Sequence, residues 1–349
     1  MQKNIILIII TFIVTSALIN KPKNNLYISS NAAVKNQVNI GVLVSSIDDP
    51  YINLVVQGLK NIEEKNKNKV KLTVIDSKSN EALENEALDN LLRGDIDLIL
   101  GNLLVTKADS LDNFIDKIKQ KEIPAVLFNA EPPIITKKMK EYKKFFIVTT
   151  DPKEAGTLQG KIVVDEWNKN KLIIDKNKDD VLQYIILQGS LNNVGALERT
   201  RTSISTINES GVKTEELSRK TDFWNQELAK GTVESLFLKY GDRIETIIAN
   251  NDAMAIGAIE ALQKYGYNKE NSAKNIPVFG IDGIPATKEL IKKGFMTGTV
   301  FEDPNDTSEA LYKVGLNLVS NNPPLQGTDY KSDETGIIIR IPYRGVISQ

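Results

Sequence analysis

The chain has 349 residues, of which 41% are hydrophobic and 26% are charged, so it has enough material for two domains that each bury a core. Its 44 Lys and Arg residues nearly balance its 45 Asp and Glu residues, which leaves no basic excess to neutralise nucleic acid or an anionic membrane surface. The sequence contains neither Cys nor His, and this excludes disulfides, thiol nucleophiles, histidine general bases and the usual zinc sites.

The N-terminal segment carries one Lys, then a nearly continuous apolar run from Ile5 to Ile19, then polar residues. This pattern is typical of a secretory signal peptide, and the run is short for a membrane-spanning helix, although an uncleaved anchor is the alternative. We therefore assign residues 1–33 to a signal peptide and linker and leave the cleavage site open. Because the chain has no Cys, we expect an exported protein without a lipid anchor.

From residue 38 onward, short apolar runs alternate with amphipathic segments whose apolar residues recur at spacings of three and four. Strands that are apolar on both faces and separated by helices indicate parallel sheets covered on both sides. The runs are too many for one small sheet, so we predict an α/β protein with two doubly wound parallel-sheet lobes. The runs are 38–44, 70–76, 96–102, 123–129, 145–150, 184–189, 244–250, 276–282 and 298–303.

Short polar residues follow several of these runs, at the strand ends where open parallel sheets bind their ligands. They are Asp48, Asp49, Asn129, Asn251, Asp252, Asp282, Glu302 and Asp303. Any one of them could be only a helix N-cap, but together they predict a cleft lined by amides and carboxylates. Such groups suit a ligand rich in hydroxyls, and its C–H faces would suit Tyr51 and Trp224, although either ring could instead be a core residue.

The loop DKNKDDVLQ, residues 175–183, places side-chain oxygens on Asp175, Asn177 and Asp179, and then on Gln183. This spacing suits a hard cation such as Ca²⁺. Two features oppose a cation: Asp180 stands where the sharp turn favours Gly, and Ile186 stands where a bidentate Glu usually closes the site. The loop alone therefore leaves both a cation site and a solvated turn open.

Several segments together resemble one family, the periplasmic galactose/glucose-binding proteins. They are NIGVLVSSIDDPY, VLFNAEPP, IANNDAMAIGAIEAL and VFGIDGIP, with DKNKDDVLQ and the signal-like N-terminus, and they occur in order over almost the whole mature chain. The resemblance implies the type I periplasmic binding fold, two lobes joined by a three-segment hinge that close on a monosaccharide in the periplasm. It also implies delivery to the permease of an ABC importer, presentation to a chemoreceptor in some members, and a monomer.

The same resemblance divides the chain into lobes. Residues 38–150 and 302–340 are expected to form the N-terminal lobe, and residues 151–301 and 341–349 the C-terminal lobe. The three crossings between the lobes then form the hinge, and closure by hinge bending is the expected motion.

Carried over position by position, the resemblance implies a set of sugar-binding residues. The residues that match are Asp49, Asn129, Arg199, Asn251 and Asp282, with Tyr51 in place of a stacking Phe and Trp224 as the second stacking ring. Three positions differ from the family's pattern. Asn193 and Gly195 stand where the family has His and Asp, and Glu302 stands where it has Asn.

Losing the Asp at position 195 deprives Arg199 of its expected neighbour, and an unpaired buried guanidinium costs several kcal/mol. We expect Glu302 to supply the compensating charge from the other side of the cleft and the selectivity among sugars to change. The alternative is an ordinary glucose, galactose or methyl-galactoside binder that uses Asn193 and a water.

The resemblance also bears on the loop DKNKDDVLQ, because in this family it surrounds one structural Ca²⁺. The implied ligands are the side chains of Asp175, Asn177, Asp179 and Gln183, the carbonyl of Val181, and a Glu from a remote strand, here Glu245. Glu245 would replace the carboxylate that Ile186 lacks, and Asp180 can adopt a left-handed conformation more readily than most residues.

Two other classes of protein compete with a binding protein. A sugar-responsive repressor would need an N-terminal helix-turn-helix, where this chain has its signal-like segment. A carboxylate-pair glycosidase could use Asp49 and Asp282, but the surrounding amides and aromatic residues favour holding a sugar over cleaving one. We therefore predict that the chain is not an enzyme.

Overall fold

The computed structural model describes residues 37–104, 107–270 and 274–348. The predicted signal peptide and linker, residues 1–33, lie outside these ranges. Within the described ranges, no helix is both long and apolar enough to cross a membrane.

The elements alternate along the chain as the sequence pattern predicts. The strands are β1 (Val38–Val44), β2 (Val70–Asp76), β3 (Leu98–Asn102), β4 (Ala125–Phe128), β5 (Phe145–Thr149), β6 (Val181–Gln188), β7 (Lys213–Thr221), β8 (Thr246–Ala249), β9 (Val278–Asp282), β10 (Gly298–Phe301), β11 (Ile338–Arg340) and β12 (Val346–Ser348). The helices are α1 (Pro50–Lys65), α2 (Glu81–Arg93), α3 (Ala108–Gln120), α4 (Lys137–Glu141), α5 (Pro152–Ile174), α6 (Val194–Glu209), α7 (Gln226–Tyr240), α8 (Asp252–Lys264), α9 (Pro285–Lys292) and α10 (Pro304–Val319).

The strands form two six-stranded sheets, one for each lobe. The first has the order β11-β5-β4-β3-β1-β2, and all of its pairings are parallel. The second has the order β12-β10-β9-β8-β6-β7, and only β12 runs antiparallel to its neighbour. The prediction of two doubly wound parallel-sheet lobes is confirmed.

Each sheet is covered on both faces because successive side chains of a strand point to opposite sides. In β1, Val42 belongs to the cluster beneath α1 and α10, whereas Leu43 belongs to the cluster beneath α2 and α3. In β6, Leu187 packs with α7 and α8, whereas Ile186 packs on the opposite face with α5. Both lobes therefore have a double-sided apolar core.

The chain passes between the sheets three times. It leaves the first sheet after β5, returns after β10, and leaves again between β11 and β12. The strands of the first sheet fall within 38–149 and 338–340, and those of the second within 181–301 and 346–348. The residue limits given above for the two lobes stay a prediction.

Three helices begin within a few residues of the strand before them, so their capping residues lie near the edge of the sheet. Asp49, Asp151 and Asp303 each cap a helix whose first residue is Pro. Asp accepts hydrogen bonds from the free amides of the first turn, and Pro fits there because that turn needs no amide donor. The chain thus turns sharply at the carboxyl ends of β1, β5 and β10.

Candidate functional site

Three predicted site residues are also helix caps. The Asp49 Oδ1 accepts from the amides of Tyr51 at 2.9 Å and Ile52 at 3.1 Å. Asn251 accepts from Met254 N at 3.0 Å, and Asn193 accepts from Ala196 N at 2.9 Å. Capping therefore occupies one oxygen of each side chain and leaves the second oxygen of Asp49 and the amide nitrogen of Asn193 for a ligand, whereas Asn251 Nδ2 also donates to the carbonyl of Trp224.

Three other predicted site residues have left-handed backbones. The φ angles are 48° at Asn129, 64° at Trp224 and 131° at Asp282. Such angles are uncommon outside glycine and concentrate at functional sites, where the surrounding structure enforces them. The backbone geometry supports a functional reading of these strand ends.

Arg199 of α6 is the buried cation of the cleft. Its Nη1 donates to the carbonyl of Asn250 at 2.9 Å and lies 4.0 Å from Asp282 Oδ1. Its Nη2 lies 3.9 Å from Glu302 Oε2, and its Cζ lies 5.8 Å from the Trp224 ring centroid. In the described part of the chain, its Nε has no hydrogen-bond acceptor. The guanidinium therefore has two carboxylates near it, and its Nε–H is buried without an acceptor among the described residues.

Glu302 is the centre of a buried network at the hinge. Its Oε1 accepts from Tyr51 Oη at 2.6 Å, and its Oε2 accepts from Thr150 Oγ1 at 3.3 Å. Tyr343 Oη in turn donates to Thr150 Oγ1 at 2.8 Å. Thr150, Glu302 and Tyr343 stand on the first, second and third crossings, so one network joins all three segments of the hinge.

Thr150 and Tyr343 belong to this network but were not among the predicted site residues. A usable signal existed for both, because each lies in a predicted crossing segment and carries a hydroxyl. Tyr51 is 2% exposed and belongs to the core cluster of the first lobe. This is the core alternative that the sequence left open, and its use as a stacking ring stays a prediction.

Burial raises the pKa of all three predicted acidic site residues, Asp49, Asp282 and Glu302. Burial raises the pKa of Asp49 and of Glu302, and Arg199 partly offsets the rise in both. Burial, together with the nearby Asp252, raises the pKa of Asp282 well above its usual value. These carboxyls therefore hold a proton more readily than exposed ones, and a ligand that donates hydrogen bonds would stabilise their charged form.

Asp252, the neighbour of Asn251, is buried and holds the backbone next to the predicted site residue Asp282. Its carboxylate accepts from Gly283 N at 2.7 Å, Ile284 N at 3.0 Å, Thr287 Oγ1 at 2.5 Å and Thr299 Oγ1 at 2.6 Å. Four donors occupy this carboxylate, so it fixes the turn that follows Asp282. Burial raises its pKa to about 6.

Trp224 lies over the backbone at the end of β6. A Cβ added to Gly189 would come within 2.2 Å of its indole ring, so only glycine permits this contact. The carbonyl of Trp224 accepts from Asn251 Nδ2 at 3.3 Å. The ring is thereby positioned between the loops that follow β6, β7 and β8.

The predicted calcium loop wraps back on itself. Amides of Asp179 and Asp180 donate to Asp175, each at 3.1 Å, and the φ of Asp180 is 64°. The Glu245 carboxylate accepts from Lys176 N at 2.7 Å and Gln183 N at 3.0 Å, which joins the loop to the start of β8. Asp180 therefore adopts the left-handed turn that usually requires Gly.

The donor set fits Ca²⁺ by its chemistry, since carboxylate, amide and carbonyl oxygens are the ligands that Ca²⁺ prefers. Asp179 already contacts both amide side chains: its Oδ2 accepts from Asn177 Nδ2 at 2.8 Å and from Gln183 Nε2 at 2.9 Å. Across the described ranges, no group of three or more acidic side chains is arranged to hold a metal ion. The predicted set depends on amide and carbonyl oxygens as well, so the metal site stays a prediction.

Two comparisons with known proteins, one with family models and one with curated sequences, both match periplasmic binding proteins. A family model described as a periplasmic binding protein domain matches residues 40–323. The D-galactose/methyl-galactoside binding periplasmic protein MglB of Haemophilus influenzae is 33% identical over 319 residues, which cover 91% of this chain and 92% of that protein.

Two solved structures share the fold at low sequence identity. One is an ABC transporter solute binding protein from Bacillus halodurans with bound myo-inositol, with a TM-score of 0.71 and 22% identity over 90% of this chain and 96% of that one. The other, from Actinobacillus succinogenes with bound D-allose, has a TM-score of 0.71 and 18% identity over 89% of this chain and 97% of that one.

Proposed function

The chain belongs to the periplasmic binding protein family, and from that premise we propose that it captures a monosaccharide between its lobes and delivers it to the permease of an ABC importer. Family membership also confirms the prediction of a binding protein and not an enzyme. The observation that carries the proposal is the position of Arg199. This buried guanidinium lies within 4.0 Å of the carboxylates of Asp282 and Glu302, and its Cζ is 5.8 Å from the Trp224 ring centroid.

The proposed site suits hydroxyl groups because it offers both kinds of hydrogen-bonding partner. Asn129 and Asn251 provide amide donors, Asp49 and Asp282 provide acceptors, and Arg199 provides donors only. A sugar hydroxyl donates and accepts at once, so it can pair with two of these groups together. The indole of Trp224 offers an apolar face for the C–H side of a sugar ring.

We propose that the preferred sugar differs from that of ordinary galactose/glucose-binding relatives. Glu302 places a carboxylate where they have an amide, and the Asn193 oxygen is already occupied by the cap of α6. Replacing Glu302 by Asn is expected to shift the ranking of sugars toward galactose and glucose. Unchanged ranking would show that Glu302 does not determine selectivity.

We further propose that the chain works in the periplasm after export by residues 1–33, as a monomer without a lipid anchor. A chemoreceptor is a second proposed partner. Closure of the lobes around the sugar would give the importer a surface that distinguishes loaded from empty protein.

We propose one structural Ca²⁺ in the loop 175–183. Its ligands would be Asp175, Asn177, Asp179, Val181 and Gln183, with Glu245 from the start of β8. The ion would supply positive charge to a group of carboxylates: burial raises the pKa of Glu245, and Asp175 and Asp179 add to the rise by repulsion. Its proposed role is to stabilise the second lobe.

The test is calorimetry on mature protein unfolded, dialysed free of ligand and refolded. Glucose, galactose, ribose, arabinose and xylose are titrated in turn, and at least one is expected to bind with a micromolar or lower Kd. Folded protein that binds none of the five would contradict the monosaccharide proposal. Hydrolysis of an aryl glycoside that is lost on changing Asp49 would instead support the glycosidase alternative.

A further inference from the structure

A cavity of about 160 Å³ lies in the first lobe between α2 and α3. Its lining includes none of the predicted sugar-binding residues. Each helix contributes four lining residues at positions i, i+3, i+4 and i+7, which share one face of a helix. On α2 these residues are Glu81, Glu84, Asn85 and Leu88. The cavity is therefore a gap between two facing helix surfaces, distinct from the predicted sugar site.

Short polar side chains of α3 keep this gap open. Larger apolar side chains usually interdigitate where two helices pack, but α3 places Ser110 and Asn113 here. The apolar part of the lining consists mainly of buried side chains, namely Phe114 of α3, Leu88 of α2 and Leu43 of β1. The cavity thus combines an apolar wall with polar groups.

Glu84 contributes a buried carboxylate to the lining. Its side chain is 8% exposed, and its Oε2 accepts from Leu104 N at 2.8 Å. No donor among the described residues reaches its Oε1. Burial raises the pKa of Glu84 to about 7, and the charge of Glu81 adds to the rise. A cation in the cavity would therefore stabilise the charged carboxylate.

Lys117 lines the same cavity but is already paired with another residue. Its Nζ lies 2.7 Å from Asp89 Oδ1, and this ion pair joins α3 to α2. The lining therefore has two carboxylates, those of Glu81 and Glu84, and one ammonium that is engaged elsewhere. This surplus of negative charge favours a cation over a phosphate or a carboxylate.

The size and the apolar part of the cavity indicate an organic cation. A hard metal ion takes six to eight oxygen ligands, and within residues 37–104, 107–270 and 274–348 no group of three or more acidic side chains is placed to hold a metal. An apolar cavity of about 150 Å³ holds one benzene molecule, so this cavity has room for about six non-hydrogen atoms.

We propose that this cavity is a second ligand site, which binds a small primary ammonium with a short apolar chain. The ammonium donates to Glu84 Oε1, and the chain packs on Leu43, Leu88 and Phe114. The proposal does not depend on sugar binding, because the two sites share no residue.

The test is calorimetry at pH 8 with n-butylammonium chloride on the mature protein. Butan-1-ol and butyrate have the same chain length and serve as the neutral and the anionic ligand. The ammonium is expected to bind with a Kd of about 1 mM or lower, and at least about ten-fold more tightly than either of the others.

Two variants locate the bound ammonium. Glu84→Gln removes the carboxylate, and Ser110→Leu fills the gap while keeping the carboxylate. Each is expected to weaken binding at least ten-fold. Glu86→Gln is the matched control, because Glu86 is exposed on the same helix and does not line the cavity, and its affinity should stay within two-fold of the wild type. Thermal melts establish that each variant is folded.

Three results would overturn the inference. They are folded wild-type protein that does not bind n-butylammonium, butan-1-ol that binds as tightly as the ammonium, and full affinity in both folded Glu84→Gln and folded Ser110→Leu. The last result would show that the amine binds elsewhere on the protein. Failure of every sugar to bind would contradict the proposed function and leave this inference standing.

Discussion

Tyr51, at the start of α1 in the first lobe, donates a 2.6 Å hydrogen bond to Glu302 on the second crossing. The same carboxylate accepts from Thr150 on the first crossing and lies 3.9 Å from Arg199 of the second lobe. One buried group therefore contacts both lobes and the hinge. The Glu302 side chain therefore links Arg199 to Tyr51 and to the crossing segments.

This bond predicts energetic coupling between the two residues. Tyr51→Phe leaves an acceptor of Glu302 without its donor, and Glu302→Gln weakens the same bond, so each is expected to lower the free energy of unfolding by about 1–3 kcal/mol. The double variant should cost less than the sum by about 1 kcal/mol or more. Urea denaturation measures all four proteins.

Tyr240→Phe is the control for this cycle, because Tyr240 Oη donates to the carbonyl of Leu217 far along the second lobe. Its effect should add to that of Glu302→Gln. Additive effects for Tyr51→Phe as well would show that the 2.6 Å contact carries no coupling.

The contact between Gly189 and Trp224 predicts a defect in binding. In Gly189→Ala, the new methyl would lie within 2.2 Å of the indole, so the ring must move out of the cleft. Affinity for the sugar is expected to fall at least ten-fold. Gly231→Ala in α7 is the matched control, because no described atom beyond its chain neighbours and its own helix backbone lies within 4 Å of the added Cβ. It should raise stability by about 0.5–1 kcal/mol. Equal affinities of the two variants would contradict the assignment of Trp224.

The pH dependence of stability should come from buried carboxyls, since the chain has no His. Burial raises the pKa of Glu84 to about 7. Glu84 lines a cavity of about 160 Å³ with Glu81, Asn85 and Lys117, and its Oε2 accepts from Leu104 N at 2.8 Å. A carboxyl with a raised pKa binds its proton more tightly in the folded state. Its contribution is fully present below the unfolded pKa, about 4.3, and is lost as the pH rises to about 7.

Glu84→Gln removes the titrating carboxyl, so the variant is not expected to lose this stability as the pH rises. Its free energy of unfolding, minus that of the wild type, is expected to increase between pH 5 and pH 7.5 in urea denaturation series. Glu86→Gln neutralises an exposed residue of the same helix that does not line the cavity, and it serves as the control. A constant difference between Glu84→Gln and wild type across this range would contradict the prediction.

The calcium loop predicts a response to metal. Ca²⁺ at one hundred times its Kd should raise the free energy of unfolding by about 2.7 kcal/mol, and a chelator should reverse the rise in Tm. Glu245→Gln is expected to abolish the response, because it removes the carboxylate that joins the loop to β8. Asp180→Gly should retain it, since glycine adopts the φ of 64° found there without strain. A Tm insensitive to both Ca²⁺ and chelator would make the loop a solvated turn.

The alternation of apolar runs and helices predicted both sheets, because buried parallel strands have an apolar pattern that solvent-exposed segments lack. It missed β7, whose sequence KTEELSRKT lies at a sheet edge with its charged side chains largely exposed. It also missed β11 and β12, which are three residues each and have too few side chains to show a period.

The strand-end rule located candidate residues but could not assign roles within a pair. Asn251 and Asp252 are adjacent and equally polar, yet Asp252 turns inward to four donors. Only the backbone path decides which of the two faces the cleft. Thr150 and Tyr343 were missed for a related reason, because a hydroxyl in a crossing segment gains its partner only when the lobes come together.

The most direct test uses Trp224 as a reporter of the cleft. The chain has two Trp residues, and Trp167 is buried in the core of the second lobe, so Trp167→Phe leaves Trp224 as the only indole. Fluorescence of this variant is titrated with the sugar that calorimetry identifies. We expect a saturable change in Trp224 emission with the same Kd as the calorimetric one. A sugar that binds by calorimetry, leaves this emission unchanged and keeps its affinity for Trp224→Phe would show that the ligand binds elsewhere.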